Sequence, residues 1–258
     1  MIYVVLPIYN EGKSLGNLIS KINVALSSVS LQHTIVAVND GSTDNSGEIL
    51  RDLQKEYPLI IISHQINRGL GETIRDGFEL AAENAQDDDI IVRLDADGTQ
   101  DPSLIPRMCS KLDEGFDVII ASRYAKDGEE IGLSFKRKFF SRMANLLMKI
   151  CFPVKGLLDY SCGYRAYKAS IIKQAIRKFG NNFIELKGLG FTVTPEKLVK
   201  LIKLRARIAE VPLVLRYDLK ESKSKMESYA TIMGYIVLII KNIGKKKISK
   251  DTFYALLF

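Results

Sequence analysis

The chain has 258 residues, a 47% hydrophobic composition and a formal net charge of +7, enough apolar material for one large α/β domain. Three cysteines without CxxC spacing and only two histidines exclude a disulfide framework and a His/Cys metal cage. The charge is uneven: residues 1–100 carry 7 Lys+Arg against 15 Asp+Glu, residues 101–200 carry 18 against 10, and residues 201–258 carry 12 against 5. An acidic first part and a basic remainder would suit nucleic acid, an anionic membrane face or a phosphorylated acceptor. No nucleic-acid-binding motif or interleaving of aromatic with basic residues is present, so nucleic acid is not expected as a partner.

In chain order, β-rich runs alternate with runs of helical spacing. Strands are predicted at Ile2 to Pro7, Thr34 to Asn39, Leu59 to His64, Asp89 to Leu94 and Val118 to Ser122. Helices are predicted at Ser14 to Leu26, Asn45 to Lys55, Leu70 to Asn84 and Ser103 to Glu114, with Ser14, Thr43 and Ser103 as caps. The apolar start has no basic leader and is too short for a signal peptide, so it reads as the first strand. This series builds a mostly parallel sheet covered by helices on both faces, and ligands then bind beyond the carboxyl ends of its strands.

After Gly128 the alternation stops. Phe135, Phe139, Met143, Leu146, Leu147 and Ile150 form an apolar stripe among Lys136, Arg137, Lys138, Arg142 and Lys149, a basic amphipathic helix. It reads either as a guide for a phosphate at a membrane surface or as a solvated face. A further helix begins near Ala169, and an edge strand is predicted at Ala209 to Arg216. The 13-residue uncharged run 228–240, followed by Lys241 and Lys245-Lys246-Lys247, is short of the roughly 20 residues that span a bilayer. It reads as a core helix or an interfacial anchor. The domain division expected is 1–220 for the α/β body and 221–258 for a basic, apolar helical tail.

The residues at the strand ends carry the chemistry. Asp95-Ala96-Asp97-Gly98 places two carboxylates, two residues apart, where a strand breaks, so both can share a hard cation with a diphosphate. A solvated acidic turn is the other reading. Asp40 follows the second strand and suits acceptance from a base or ribose hydroxyl, or else a local turn in Asn39-Asp40-Gly41-Ser42. Gly69-Leu70-Gly71 opens a helix whose N–H groups favour anions. Ile74 stands where a dinucleotide fingerprint needs a third glycine, and no P-loop is present.

Four ordered motifs, LPIYNE at 6–11, VNDGSTD at 38–44, NRGLG at 67–71 and DADG at 95–98, resemble the family 2 glycosyltransferases. The resemblance extends through ASRY at 121–124, RKFFSRMAN at 137–145 and DYSCGYRAY at 159–167 toward the dolichol- and polyprenol-phosphate mannose or glucose synthases, and ends near Ser224-Lys225. It implies a GT-A, Rossmann-like fold and a metal-dependent inverting hexosyltransferase using Mg²⁺ or Mn²⁺. The implied donor is GDP-mannose or UDP-glucose and the implied acceptor a polyprenyl phosphate, or another lipid, at the cytoplasmic membrane face. By the same resemblance Pro7, Tyr9, Asn10, Glu11, Asp40, Gly69, Arg75, Asp95, Ala96 and Asp97 hold the nucleotide sugar. Asp95, Asp97 and Thr99 hold the metal, with Thr99 standing where the branch often has Gln and Gln100 beside it. Asp95, Asp97, Arg123, Arg137 and Ser141 are the implied catalytic set, the last three handling donor diphosphate and acceptor phosphate.

A downstream arginine expected by the resemblance falls on Leu219, leaving Arg216, Lys220 or Lys223 as substitutes. A phosphate acceptor is already an anionic nucleophile, so positioning and leaving-group stabilisation suffice. A hydroxyl acceptor on a glycan or glycolipid would need a carboxylate base, for which Asp159 and Glu196 are the candidates. A nucleotide-binding module without catalysis is the reading from another class. Oligomeric state is not legible.

Overall fold

The structure is a computed structural model that describes residues 1–186, 188–222 and 228–243. The first half follows the predicted series: β1 (Ile2–Ile8), α1 (Gly12–Ser27), β2 (His33–Asp40), α2 (Ser46–Leu53), β3 (Leu59–His64), α3 (Leu70–Asn84), β4 (Ile90–Arg93), α4 (Ile105–Asp113) and β5 (Val118–Ser122). β1 is buried at all seven positions because parallel strands are covered on both faces. α1 buries Leu15, Leu18, Ile19, Ile22 and Leu26, one stripe of a 3.6-residue period, on one side of that sheet. α3 packs so tightly on β1 and β2 that a Cβ at Gly77 would lie 2.6 Å from Val5 Cγ1 and 3.1 Å from Val38 Cγ2.

The second half holds β6 (Glu129–Ile131), α5 (Phe135–Cys151), β7 (Arg165–Lys168), α6 (Ala169–Phe179), α7 (Val193–Lys203), β8 (Ile208–Pro212), β9 (Val214–Arg216) and α8 (Ser228–Asn242). The main sheet runs β3-β2-β1-β4-β7-β5-β8, with β7 antiparallel to both β4 and β5. β6 and β9 form a separate parallel pair. The edge strand expected over Ala209 to Arg216 is therefore two strands in two sheets, split at Leu213, whose N–H bonds Ser122 O at the end of β5 while Arg216 N–H bonds Thr99 O. That split carries the chain from the sheet edge across to the DADG turn.

The expected caps differ. α1 starts at Gly12, and Ser14 donates instead to Glu11 O and Ala96 O, tying the helix start to the DADG turn. Asn45, not Thr43, stands at the α2 N-cap, and Asp101 accepts from Ser103 N. α8 rests on the body through buried Tyr235, Leu238 and Ile239 while Ile232, Met233, Ile236 and Ile240 are exposed. Lys241 pairs with Glu185 at 2.6 Å. Lys223, Ser224-Lys225 and Lys245 to Lys247 lie outside the described residues. Among the described residues, no helix is long and apolar enough to cross a membrane.

Candidate active site

The loops after β1 and β2 are stitched together. Asn10, at a positive φ of 52°, accepts from Thr43 N at 2.8 Å and donates its own N–H to Ser42 Oγ at 3.0 Å. Glu11 N donates to Ser46 Oγ and Gly12 N to Asp44 Oδ2. Tyr9 is half-buried beside them, and Pro7 is a buried position of β1. Asn39, not Asp40, makes the local turn, accepting from Ser42 N. Asp40 reaches the other way: Oδ1 accepts from Arg68 N at 2.8 Å and His64 Nδ1 at 2.7 Å, and Oδ2 accepts from Gly69 N at 2.9 Å. Gly69, at φ 89°, opens α3 in a conformation that a side chain would strain. Arg75 turns to Glu72, Asp76 and Glu79 of its own helix at 2.5, 3.2 and 3.8 Å.

Asp95 and Asp97 flank Ala96 just beyond β4, their side chains 29% and 13% exposed at the sheet rim. Each is held from behind. Buried Arg93 donates to Asp95 Oδ1, and Gln100 Nε2 donates to Asp95 Oδ2 at 2.7 Å while its Oε1 accepts from Asp95 N at 2.9 Å. Asp97 Oδ1 accepts from Thr99 Oγ1 at 2.7 Å and Thr99 N at 3.2 Å. Thr99 is 3% exposed and spends its hydroxyl on Asp97. Thr99, expected as a third metal ligand, supports Asp97 in this structure through its hydroxyl and its N–H. Gln100, the residue displaced by one, supports Asp95.

Lys220 comes from the segment after β9 and pairs with Asp97 Oδ2. Burial pushes its ammonium down, but Asp97 first, then Glu11 and Asp95, hold it above the ordinary lysine value. Burial likewise pushes Asp97 up, and Lys220 with Thr99 more than offsets it, leaving Asp97 below the usual carboxylate range. Ser222 donates to Glu11 Oε1. Asp97 thus already holds a cation two residues from Asp95, which tests the fit for a hard divalent ion: the donor set is carboxylate oxygen at a partly exposed rim, suited to Mg²⁺ or Mn²⁺ completed by water or phosphate oxygens. No cluster of three or more His, Cys, Asp or Glu able to hold a metal by itself occurs among the described residues, so such an ion would need oxygens from its ligand.

Arg123, Arg137 and Ser141 lie on the other wall, and the structure separates their roles. Arg123 grips Asp159 through Nε at 2.7 Å and Nη2 at 2.8 Å, Glu130 through Nη1 at 3.1 Å and Ser161 at 2.6 Å. Asp159 is fully buried; burial raises its pKa, and Arg123 with the Cys162 N–H more than offsets that, leaving it lowered. Ser141 exchanges a hydrogen bond with Tyr124 OH at 2.8 Å, and Arg137 donates to Tyr217 OH and lies over its ring. A cavity of about 430 Å³ opens beside α5 between Arg142, Lys149, Leu146 and the Arg123–Tyr124 turn. The predicted α5 stripe faces outward: Phe135 (82%), Phe139, Met143, Leu146 and Ile150 are exposed, whereas Leu147 packs against the core.

Neither candidate base is available for proton transfer. Asp159 is enclosed as described, and Glu196 is buried, accepting from Glu185 N and Leu186 N and pairing with Lys200 at 2.6 Å. Lys197 lies buried 4.0 Å over the Phe78 ring, its ammonium pushed well down by burial and by Arg93 and Arg165. The sequence reading missed His64 and Asp76, four residues beyond Glu72 on α3, because their meeting with Asp40 joins a strand end to a helix face 12 residues on.

The profile of Glycosyl transferase family 2 matches residues 3–176. The dolichol-phosphate mannosyltransferase of Pyrococcus furiosus is 29% identical over 244 residues, covering 94% of this chain and 64% of that protein. The undecaprenyl-phosphate 4-deoxy-4-formamido-L-arabinose transferase of Salmonella choleraesuis is 37% identical over 176 residues, 67% of this chain and 50% of that protein. The chain thus spans between half and about two thirds of the length of these relatives. Among solved structures, glucosyl-3-phosphoglycerate synthase of Mycobacterium tuberculosis, in complex with Mn²⁺, UDP-glucose and phosphoglyceric acid, superposes with a TM-score of 0.64 over 95% of this chain and 80% of that one, at 18% identity. That likeness bears out the GT-A arrangement of the sheet, and the profile match over well more than half of the residues makes the chain a member of glycosyl transferase family 2.

Proposed function

We propose that this chain transfers a hexose, with inversion, from a nucleoside-diphosphate sugar such as GDP-mannose or UDP-glucose to a polyprenyl phosphate at the cytoplasmic face of a membrane. The observation that carries the reading is the Asp97–Lys220 ion pair at the carboxyl edge of the sheet, beside an Asp95 held in place by Arg93 and Gln100. A rim that already gathers a cation is built to hold Mg²⁺ or Mn²⁺ on Asp95 and Asp97. When bound, such an ion neutralises the leaving diphosphate as a Lewis acid. Arg93 and Gln100 keep Asp95 oriented, Thr99 does the same for Asp97, and the Asn10–Thr43 and Asp40–Gly69 bonds shape the floor on which the nucleotide would lie.

Two further observations favour a phosphate acceptor. The enclosed Asp159 and Glu196 leave neither carboxylate poised as a base, which an anionic nucleophile does not need. The outward apolar stripe of α5, flanked by Lys138, Arg142 and Lys149, suits the interface of an anionic bilayer, where each basic residue contributes about 1 kcal/mol. The printed names of both relatives, each a transferase acting on a polyprenyl-type phosphate, agree. The three cysteines are unpaired, as in a reducing compartment.

The test supplies several nucleotide sugars with a short polyprenyl phosphate or the matching alcohol, with and without Mg²⁺ or Mn²⁺, and detects product by mass spectrometry. Sugar-phospholipid formed only with metal and only from the phosphate is expected. Equal transfer to the alcohol would assign a hydroxyl acceptor instead, and binding without transfer to either would leave a nucleotide-binding module.

A further inference from the structure

His64, at the end of β3, is buried with its side chain 4% exposed and lies between two carboxylates. Its Nδ1 is 2.7 Å from Asp40 Oδ1 and its Nε2 is 3.0 Å from Asp76 Oδ2. A carboxylate only accepts, and a neutral imidazole carries one N–H, so either neutral tautomer would aim a lone pair at a carboxylate oxygen. With the ring nearly closed to water, nothing else could separate the two. The arrangement is satisfied only by the imidazolium, with both ring nitrogens donating.

We propose that His64, as an imidazolium, is a positioning residue of the donor pocket that clamps Asp40 and the 64–69 loop in the nucleotide-binding arrangement. The proposal rests on the donor-pocket reading above. Asp40 Oδ1 takes two hydrogen bonds, from His64 and Arg68 N, and Oδ2 takes one, from Gly69 N, so the clamp leaves Oδ2 with an acceptor position for a ligand. The charged groups around the ring come from three elements: Asp40 at the end of β2, Arg68 in the loop, bonding Asp76 at 3.0 Å and Glu72 at 3.4 Å, and Asp76, Glu72 and Arg75 on α3. With His64 charged, the three cations His64, Arg68 and Arg75 face the carboxylates Asp40, Glu72 and Asp76, with Glu79 at 3.8 Å from Arg75. A neutral ring would leave the buried Asp40 and the partly exposed Asp76 facing one N–H, and the loop that presents the α3 N-terminus would lose its anchor.

The experiment has two readouts on the full chain. Because His33 and His64 are its only histidines, ¹⁵N spectra of histidine-labelled protein give two rings, assigned with His33→Gln. At pH 7 the His64 ring is expected to show both nitrogens protonated. UDP and GDP affinities are measured calorimetrically at pH 7. In His64→Gln they are expected to be about tenfold weaker, one charge-assisted hydrogen bond's worth. A neutral His64 ring at pH 7 overturns the proposal, as does folded His64→Gln binding within about twofold of wild type. Should His64→Gln not fold, the wild-type ring signal decides, and a neutral ring overturns the proposal. Absence of UDP and GDP binding by wild type would instead sink the donor-pocket reading, while the ring signal still judges the charge of the clamp.

Discussion

Replacing Asp159 with asparagine tests whether the buried Arg123–Asp159 pair holds the fold together beside α5. Asp159 is fully buried and accepts from Arg123 Nε, Nη2 and N, from Ser161 N and from Cys162 N. The asparagine amide keeps the shape but loses the charge, leaving the guanidinium with Glu130 as its carboxylate partner among the described residues. Breaking a buried pair at one member costs about 3–5 kcal/mol. For a chain of this size that lowers the melting temperature by roughly 6–10 °C. The linkage sign follows from a lowered carboxylate pKa: the stabilisation is present above the unfolded value of about 3.9 and lost as pH falls through the folded value. The gap between wild type and Asp159→Asn in calorimetric scans is therefore expected to be full at pH 7 and to close on acidification below about pH 4. The triple variant Arg123→Met, Glu130→Gln and Asp159→Leu removes all three charges and is expected to recover most of the lost stability. A shift of less than about 3 °C for Asp159→Asn at pH 7, or a gap that widens in acid, would refute the reasoning.

Three further outcomes follow from the same geometry. Asp97→Ala is expected to weaken Mn²⁺ binding in the presence of UDP by at least about a hundredfold by calorimetry and to abolish transfer, since on the proposed function it removes one of two carboxylate ligands. Lys220→Met removes the ammonium that competes for Asp97 and is expected to tighten Mn²⁺ binding without nucleotide by about tenfold, read by electron paramagnetic resonance. Phe135→Ser with Phe139→Ser, both on the exposed face of α5, is expected to cut sedimentation with anionic liposomes at least about tenfold while leaving the melting temperature within about 2 °C, because neither ring packs in the core.

The residue pattern alone determined the alternating half of the fold and the rim where the chemistry collects. Buried parallel strands leave continuous apolar runs and their covering helices a 3.6-residue stripe, so β1 to β5 and α1 to α4 are local signals, and the polar turns beyond β1, β2 and β4 could be named as site loops from spacing. The short strands β6 and β7 carry no such pattern, because their partners come from distant sequence: β7 slots antiparallel between β4 and β5, and β6 pairs with β9 some 85 residues away. Contacts within the site likewise come from packing. That Thr99 bonds Asp97, that Arg123 grips Asp159 and that the α5 stripe points outward all depend on what lies opposite each side chain in space. A sequence supplies the groups and their local geometry; only the tertiary structure decides their partners, because a buried charge takes whichever counter-charge the fold brings within about 3 Å.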